Sequence, residues 1–208
     1  MLKLDPTDST MRAAYAGRLA YIGYIDEALP QIRMAWDVDP LSPESSLLYP
    51  WLLDVKGRHD EALPLYTVNP HLTDLRWFNA VWRRDYAAAR DLAAAMPKDS
   101  KFTDSFIAAS EALLDPLRWP QVQPRIAGKY ASIEQPDIDR ETAMRDIDAW
   151  WTPQVSPVPI FLWVPEFAHV RGSAAFQDFL VRHHILDYWR SHGFPTQCRP
   201  AGDGAHCD

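Results

Sequence analysis

Apolar residues recur at helical spacing through the first hundred positions. Tyr15 and Leu19 stand one turn apart, Gly23 interrupts the run, and Ala28, Ile32 and Ala35 resume it on one face before Asp39-Pro40. The pattern predicts two helices joined by a turn at Gly23. It returns 34 residues later: Asp26-Glu27-Ala28-Leu29-Pro30 reappears as Asp60-Glu61-Ala62-Leu63-Pro64, with Tyr49, Leu53 and Gly57 in step, and Asp39-Pro40 itself repeats Asp5-Pro6. Ser42 before Pro43 reads as an N-cap and a first-turn proline, so the second pair starts near residue 43. Pro30 and Pro64 suggest that the second helix of each pair starts late, where a missing N–H costs little. After Asn69-Pro70 a contracted third pair is expected, Leu72 to Trp82 and Asp85 to Ala95, with Ala89 standing only 27 residues after Ala62.

Beyond Met96-Pro97 the pattern degenerates. Phe102 to Leu114 reads as a helix with Phe102, Phe106 and Leu113 on one side, and Ile126 to Tyr130 as its short partner across a passage holding Pro116, Pro120 and Pro124. Ile138 to Trp151, capped by Asp137, reads as another helix. Pro153, Pro157, Pro159 and Pro165 then force an irregular approach to helices at Ser173 to His184 and Ile185 to His192. No strand alternation extends over a useful length.

A helix-turn-helix period of 34 residues is that of the tetratricopeptide repeat, and the chain resembles that family. The resemblance implies an all-α helical-hairpin solenoid with a degenerate C-terminal helical cap. Its units are expected near 7–40, 41–70 and 71–97, degenerate repeats and the cap over 98–195, and a flexible tail over 196–208. First helices would line a concave surface, where Ala13, Gly17 and Tyr21, then Leu47, Trp51 and Asp54, then Phe78 and Trp82 are not needed for packing between units. Tyr21, Trp51, Asp54, Phe78 and Trp82 are thus the candidate ligand or partner groove, with burial as core the competing reading. Leu4-Asp5-Pro6 matches the end of a second helix, Val38-Asp39-Pro40, which is the expectation for a fragment with a preceding unit.

Net charge is −7, and no run of Lys or Arg exceeds two residues, so a nucleic-acid backbone finds little to grip. A hydrophobic content of 47% suffices for a sizeable core, and no apolar stretch is long enough for insertion into a membrane. Cys198 and Cys207 fall in the last eleven residues, read as free thiols on a mobile tail or as the closure of one short loop in an oxidising compartment.

The last fifty residues carry a second resemblance. Leu162-Trp163-Val164-Pro165-Glu166-Phe167-Ala168-His169-Val170-Arg171, Phe176-Gln177-Asp178-Phe179-Leu180, Leu186-Asp187-Tyr188-Trp189-Arg190, Gly193-Phe194-Pro195 and Cys198 are similar to the terminal segment of bacterial tetratricopeptide-repeat proteins. In these an upstream winged-helix DNA-binding domain, or sometimes a nucleotide cyclase, precedes the array. The resemblance implies that Phe167, Phe176, Leu180, Tyr188 and Trp189 cap the open end of the last repeat. Two departures stand out: Ser173-Ala174-Ala175 replaces an Asp-Pro turn, and His183-His184 replaces a Leu-Gly pair.

Other chemistry weighs less. His169, His183, His184, His192 and Asp187 lack a zinc spacing, and adjacent histidines on a helix diverge by about 100 degrees. His192, Cys198, His206 and Cys207 make a second notional metal set, and Cys198 with His192 a notional nucleophile and base without an orienting third group. Asp146 and Asp148 before Trp150-Trp151 suit a solvated face followed by core. Asp26-Glu27 and Asp60-Glu61 suit helix first turns. The expectation is a non-enzymatic interaction or sensor module without metal or cofactor, the C-terminal part of a bacterial transcriptional regulator. Its partner would be a protein or a small-molecule effector, the latter in an aromatic pocket between the repeats and the C-terminal part. Its expected place is the cytoplasm, or the periplasm if a membrane span lies upstream.

Overall fold

The computed structural model describes residues 8–98, 103–126, 139–150 and 158–208. Its described residues are predominantly α-helical. Four antiparallel pairs follow one another: α1 (Ser9–Tyr21) with α2 (Ile25–Val38), α3 (Pro43–Val55) with α4 (His59–Leu65), α5 (Thr73–Trp82) with α6 (Tyr86–Ala95), and α7 (Thr103–Leu114) with α8 (Trp119–Ile126). Each helix packs on its neighbour in the chain. Asp8, Ser42 and Asp85 accept hydrogen bonds from the backbone N–H of Met11, Ser45 and Ala88, which satisfies one orphan donor at the start of α1, α3 and α6.

The turns inside the first three pairs share one bonding scheme. Gly23 and Tyr24 donate to the carbonyls of Ala20 and Leu19 at 3.1 and 2.9 Å; Gly57 and Arg58 donate to Asp54 and Leu53, and Arg84 and Asp85 to Val81 and Ala80, all at 2.8 Å. This is the Schellman arrangement, which requires a left-handed residue after the helix. Gly23, Gly57 and Arg84 supply it with φ of 90°, 68° and 59°. Arg84 carries the Cβ penalty that glycine avoids. Arg84→Gly is therefore expected to raise the unfolding free energy by roughly 0.5–1 kcal/mol, read by urea denaturation, and a loss of stability would contradict the turn geometry.

Alanines at the helix crossings let the backbones approach: Ala16, Ala20, Ala28, Ala35, Ala62, Ala89 and Ala93 have no exposed surface. Two expectations are corrected here. Tyr15 does not pack inward but is 46% exposed, because α1 buries Ala13, Ala16 and Ala20 instead. The prolines, expected early in the second helices where a missing N–H costs little, fall inside them, since α2 begins at Ile25 beside Asp26 and continues through Pro30, and α4 runs from His59 beside Asp60 through Pro64. Proline within α2 costs the hydrogen bond that the Asp26 carbonyl would have accepted, yet Ile32 and Ala35 beyond it are fully buried.

The fourth pair also differs from expectation. Its second helix starts at Trp119, ahead of Ile126, because Pro116 and Pro120 fall in first turns where no amide donor is needed. Trp119, Val122 and Ile126 are its buried face. Phe102 and the stretch 127–130 lie outside the described residues. Helix α9 (Arg140–Trp150) is capped by Asp139, which accepts from the Thr142 amide at 3.0 Å. Asp137, Ile138 and Trp151 lie outside the described residues.

The chain then returns along the array. A 3-10 turn over Val158–Trp163 and another over Pro165–Phe167 lead to α10 (Ala168–Arg171), α11 (Ala174–Arg182) and α12 (Ile185–His192). Strands β1 (Cys198–Ala201) and β2 (Gly204–Cys207) form an antiparallel hairpin with Cys198 opposite Cys207. Of the two readings of the cysteines, free thiols or closure of one short loop, the structure has the second, a Cys198–Cys207 disulfide across a hairpin in place of the expected flexible tail. Residues of the expected cap reach the first pair. Trp189 Nε1 donates to the Ile22 carbonyl at 2.8 Å, Gln197 Nε2 to Gly23 O at 2.7 Å, and Tyr24 Oη to Gly193 O at 2.5 Å. The C-terminal part thereby closes on the turn of the first pair, while α10 and α11 pack against α9. Phe167, Phe176, Leu180 and Trp189 are buried there, and Tyr188 is half-exposed against Tyr24.

Candidate functional site

Three of the five candidate groove residues converge, and the chain itself covers them. Helix α3 supplies Trp51, α5 supplies Phe78 and Trp82, and the ring of Phe161 lies among them at centroid distances of 5.0, 4.8 and 6.1 Å. Phe78 and Trp82 stack at 5.6 Å. Trp77 and Phe106 extend the cluster behind Phe78. Edge-to-face contacts of this sort contribute about 0.5–1.5 kcal/mol beyond area burial. Trp51, Phe78 and Phe161 are at most 3% exposed, so this is neither an open groove nor an empty pocket. Residues 160–164 are all buried, an apolar run between Pro159 and Pro165 that brings Phe161 against α3 and α5. Tyr21 stands apart beneath Arg18, beside a separate hollow of about 160 Å³ shared with Gly17, Leu47, Leu48 and Ile160.

Asp54 belongs to a buried polar knot that ties three helices. Its carboxylate is fully buried and accepts from His59 Nδ1 at 2.9 Å, Tyr66 Oη at 2.7 Å and Asn79 Nδ2 at 2.7 Å. Asn79 also donates to the His59 carbonyl at 2.9 Å. A charge in the apolar run Trp51-Leu52-Leu53-Asp54-Val55 is costly to bury, which is the sequence signal that donors must surround it. His59 faces a broad surface hollow formed with Arg58, Asp60, Glu61 and Arg83.

Burial pushes the Asp54 carboxyl up against the opposing pull of its donors, while the hydrogen bond to Asp54 holds the His59 imidazole above its ordinary 6.5. Both shifts mean that the folded state binds more protons than the unfolded one. For His59 the resulting stability is fully present below pH 6.5 and is lost as pH rises through its folded value. The difference in unfolding free energy between wild type and His59→Gln is therefore expected to shrink above neutral pH. A pH-independent difference would show that the imidazole stays neutral in the fold.

Ion pairs link successive pairs in the same way. Lys56 reaches back to Asp26 at 2.7 Å and Arg83 to Asp60 at 2.8 Å, each joining the end of one first helix to the start of the preceding second helix. Both pairs are partly exposed and contribute little to stability. Asp26 also accepts from Thr196 Oγ1 at 2.6 Å, and the hydrogen bonds from Lys56 and then Thr196 draw its carboxyl below the usual range.

Arg171 anchors the returning segment. Its Nη1 donates to Leu162 O and Val164 O at 2.5 and 3.0 Å, and Nε to the main-chain oxygen of Asp208 at 2.9 Å, with Nη2 bonded to the same atom. Burial lowers the guanidinium to about 10, which leaves it cationic at neutral pH. Gln177 holds β2 through both the amide and the carbonyl of Ala205. Between this anchor and the first two helix pairs lies a hollow of about 360 Å³ lined by Ile25, Val55, Lys56, Trp163, Arg171 and Gln197, among others. A Cβ on Gly23 would meet the Trp163 ring at 3.0 Å with φ at 90°. Gly23→Ala is expected to lower stability by roughly 2 kcal/mol in a denaturant titration, and an unchanged midpoint would show that the segment does not press on this turn.

The other candidates are dispersed. His183 Nε2 donates to Asp148 at 2.8 Å and its ring packs on Phe179; His184 occupies a left-handed position with φ of 57°, a conformation that favours glycine. His169 contacts Glu166 O, and His192 stacks on Tyr188 at 4.1 Å. The disulfide removes the thiols from both notional sites that used them. Among the described residues no cluster of three His, Cys, Asp or Glu side chains is placed to hold a metal ion. Asp148 pairs with Arg182 and His183 rather than with Asp146, and the side chains of Trp150 and Trp151 lie outside the described residues.

No protein-family model, curated protein or solved structure matches this chain. Among the described residues no helix is long and apolar enough to cross a membrane.

Proposed function

We propose that the chain is a non-enzymatic recognition module of tetratricopeptide type, the sensory or interaction portion of a bacterial transcriptional regulator. One observation supports the repeat reading above all: the same Schellman turn recurs at Gly23, Gly57 and Arg84. Arrays of this kind act by presenting surface rather than by positioning catalytic groups. Because Phe161 fills the aromatic concave face, partner contact on that side requires the returning segment to move. The exposed outer faces require no such movement.

The small-molecule reading has an observation of its own in the hollow between the first two helix pairs and the C-terminal hairpin. Its lining sets Ile25, Val55 and Trp163 beside Lys56, Arg171, Thr196, Gln197 and Asp208, which suits a small amphipathic effector. Thermal melting of the purified chain with fractionated cell metabolites, beside affinity capture of proteins, separates the two. A melting shift with metabolites and no retained protein overturns the interaction reading; retained protein without a shift overturns the effector reading.

A further inference from the structure

The hollow between the first two helix pairs and the returning segment holds N–H donors that the described residues do not satisfy. Its volume of about 360 Å³ lies within the ~300–1,000 Å³ typical of small-molecule sites. Trp163 stands in its wall, 4% exposed, and its buried indole N–H finds no hydrogen-bond partner among the described residues. Such a donor is costly and rare. The edge of the ring next to that N–H turns toward Gly23 and Gln197: Cζ2 and Gln197 Nε2 come within 3.0 and 3.2 Å of a Cβ placed on Gly23, and Gln197 is itself in the wall. Arg171, also buried in the wall, has five N–H groups. Four of them go to the main-chain oxygens of Leu162, Val164 and Asp208, which leaves one on Nη2. Lys56 has three, of which Asp26 takes one at 2.7 Å.

The nearby acids are engaged or turned away. Asp26 accepts from Lys56 and Thr196, the Asp208 carboxylate accepts from Arg199 with His206 3.2 Å away, and Glu166 is exposed. The unfilled places are therefore donors, two of them on cations, beside the buried apolar side chains of Ile25 and Val55. We infer that the hollow is a binding site for a small carboxylic acid with an apolar body, a branched-chain or arylacetic acid, whose carboxylate accepts from Trp163, Arg171 and Lys56. The inference rests on the effector reading above and names the class of the effector. A carboxylate has two oxygens with about four acceptor sites, enough for the three donors, whereas a neutral amide has one oxygen and adds donors of its own. The wall is shared by α2, the end of α3 and the returning segment, so the bound acid ties these parts together and holds Phe161 over the aromatic face. Effector binding and partner access to that face thereby oppose each other.

Titration of the isotope-labelled full chain with phenylacetate and isovalerate tests this, with the indole N–H signal of Trp163 as the reporter and sodium phosphate of equal ionic strength as the control. Phenylacetate is expected to move that signal saturably, further than any other indole signal, and to slow hydrogen exchange in residues 160–164. Phenylacetamide, of the same shape without the charge, is expected to bind roughly tenfold more weakly. Lys56→Met is expected to weaken phenylacetate roughly tenfold and to leave phenylacetamide unchanged. Asp26→Asn, which releases Lys56 from its ion pair and keeps an acceptor for Thr196, is expected to tighten phenylacetate. A purely structural role for these two residues would instead weaken acid and amide alike in both variants. Equal affinity for acid and amide, or no saturable shift with either acid, overturns the inference. A Trp163 signal moved by metabolite fractions but by neither acid overturns the ligand class and leaves the effector reading in place; a signal moved by none of them overturns both.

Discussion

Replacing Asp54 by alanine is expected to lower the unfolding free energy by about 3–5 kcal/mol, the largest effect of any polar substitution in this chain. The carboxylate is fully buried and answers three donors, His59 of α4, Tyr66 just after it, and Asn79 of α5. Its removal strands the Tyr66 hydroxyl, which is itself fully buried, and leaves His59 and Asn79 without the acceptor that orients them. Each stranded buried donor costs about 1–3 kcal/mol, so the loss exceeds that of any single bond. Asp54→Asn keeps an acceptor of the same shape and is expected to lose less. Equilibrium urea titrations of both variants check this. Equal losses below 1 kcal/mol in both would mean that water already serves the three donors and that the knot is open to solvent.

Phe161→Ala carries the second large effect. The side chain is nearly inaccessible and touches Trp51, Phe78 and Trp82 together, so truncation leaves a cavity between the returning segment and helices α3 and α5. Phenylalanine truncations in cores cost about 3–5 kcal/mol. Because the contacts bridge sequence-distant parts, the loss is expected to appear also as faster hydrogen exchange in residues 160–164. A loss below 1 kcal/mol with unchanged exchange there would show that the segment is held by Arg171 and Trp163 alone. Phe161→Leu, which keeps most of the volume, is expected to restore more than half of the loss.

The two results concern different kinds of legibility. Helix pairs, their turns at Gly23 and Gly57, and the cap at Ser42 could be read from local sequence because each depends on residues within one or two turns. Asp54 could be placed on its helix, but not joined to His59 and Asn79, since that meeting depends on how α5 packs beside α3. Phe161 carried no periodic signal at all. It sits among prolines that disrupt any helical pattern, and its role comes from a contact about eighty residues away with Phe78 and Trp82. Of the aromatic residues expected to line a groove, Trp51, Phe78 and Trp82 meet around Phe161 while Tyr21 stands apart, and nothing local tells whether a partner or the chain itself will cover such a group.

The tail shows the same limit from the other side. Two cysteines nine residues apart permit a disulfide without requiring it. What holds the hairpin is long-range: Gln177 to Ala205, Arg171 to Asp208, and Thr196 and Gln197 to the first helix pair. Closure of the last segment on the first pair therefore makes residues 158–208 part of one core with α1 to α5, rather than a cap on the far end.

That closure is tested most directly by nuclear Overhauser contacts between the Phe161 ring and the indole of Trp51 in selectively labelled protein. Rings 5.0 Å apart predict clear cross-peaks, with the Phe161 protons shifted by the surrounding aromatic faces. Absent cross-peaks and Phe161 shifts of a solvent-exposed ring would contradict it.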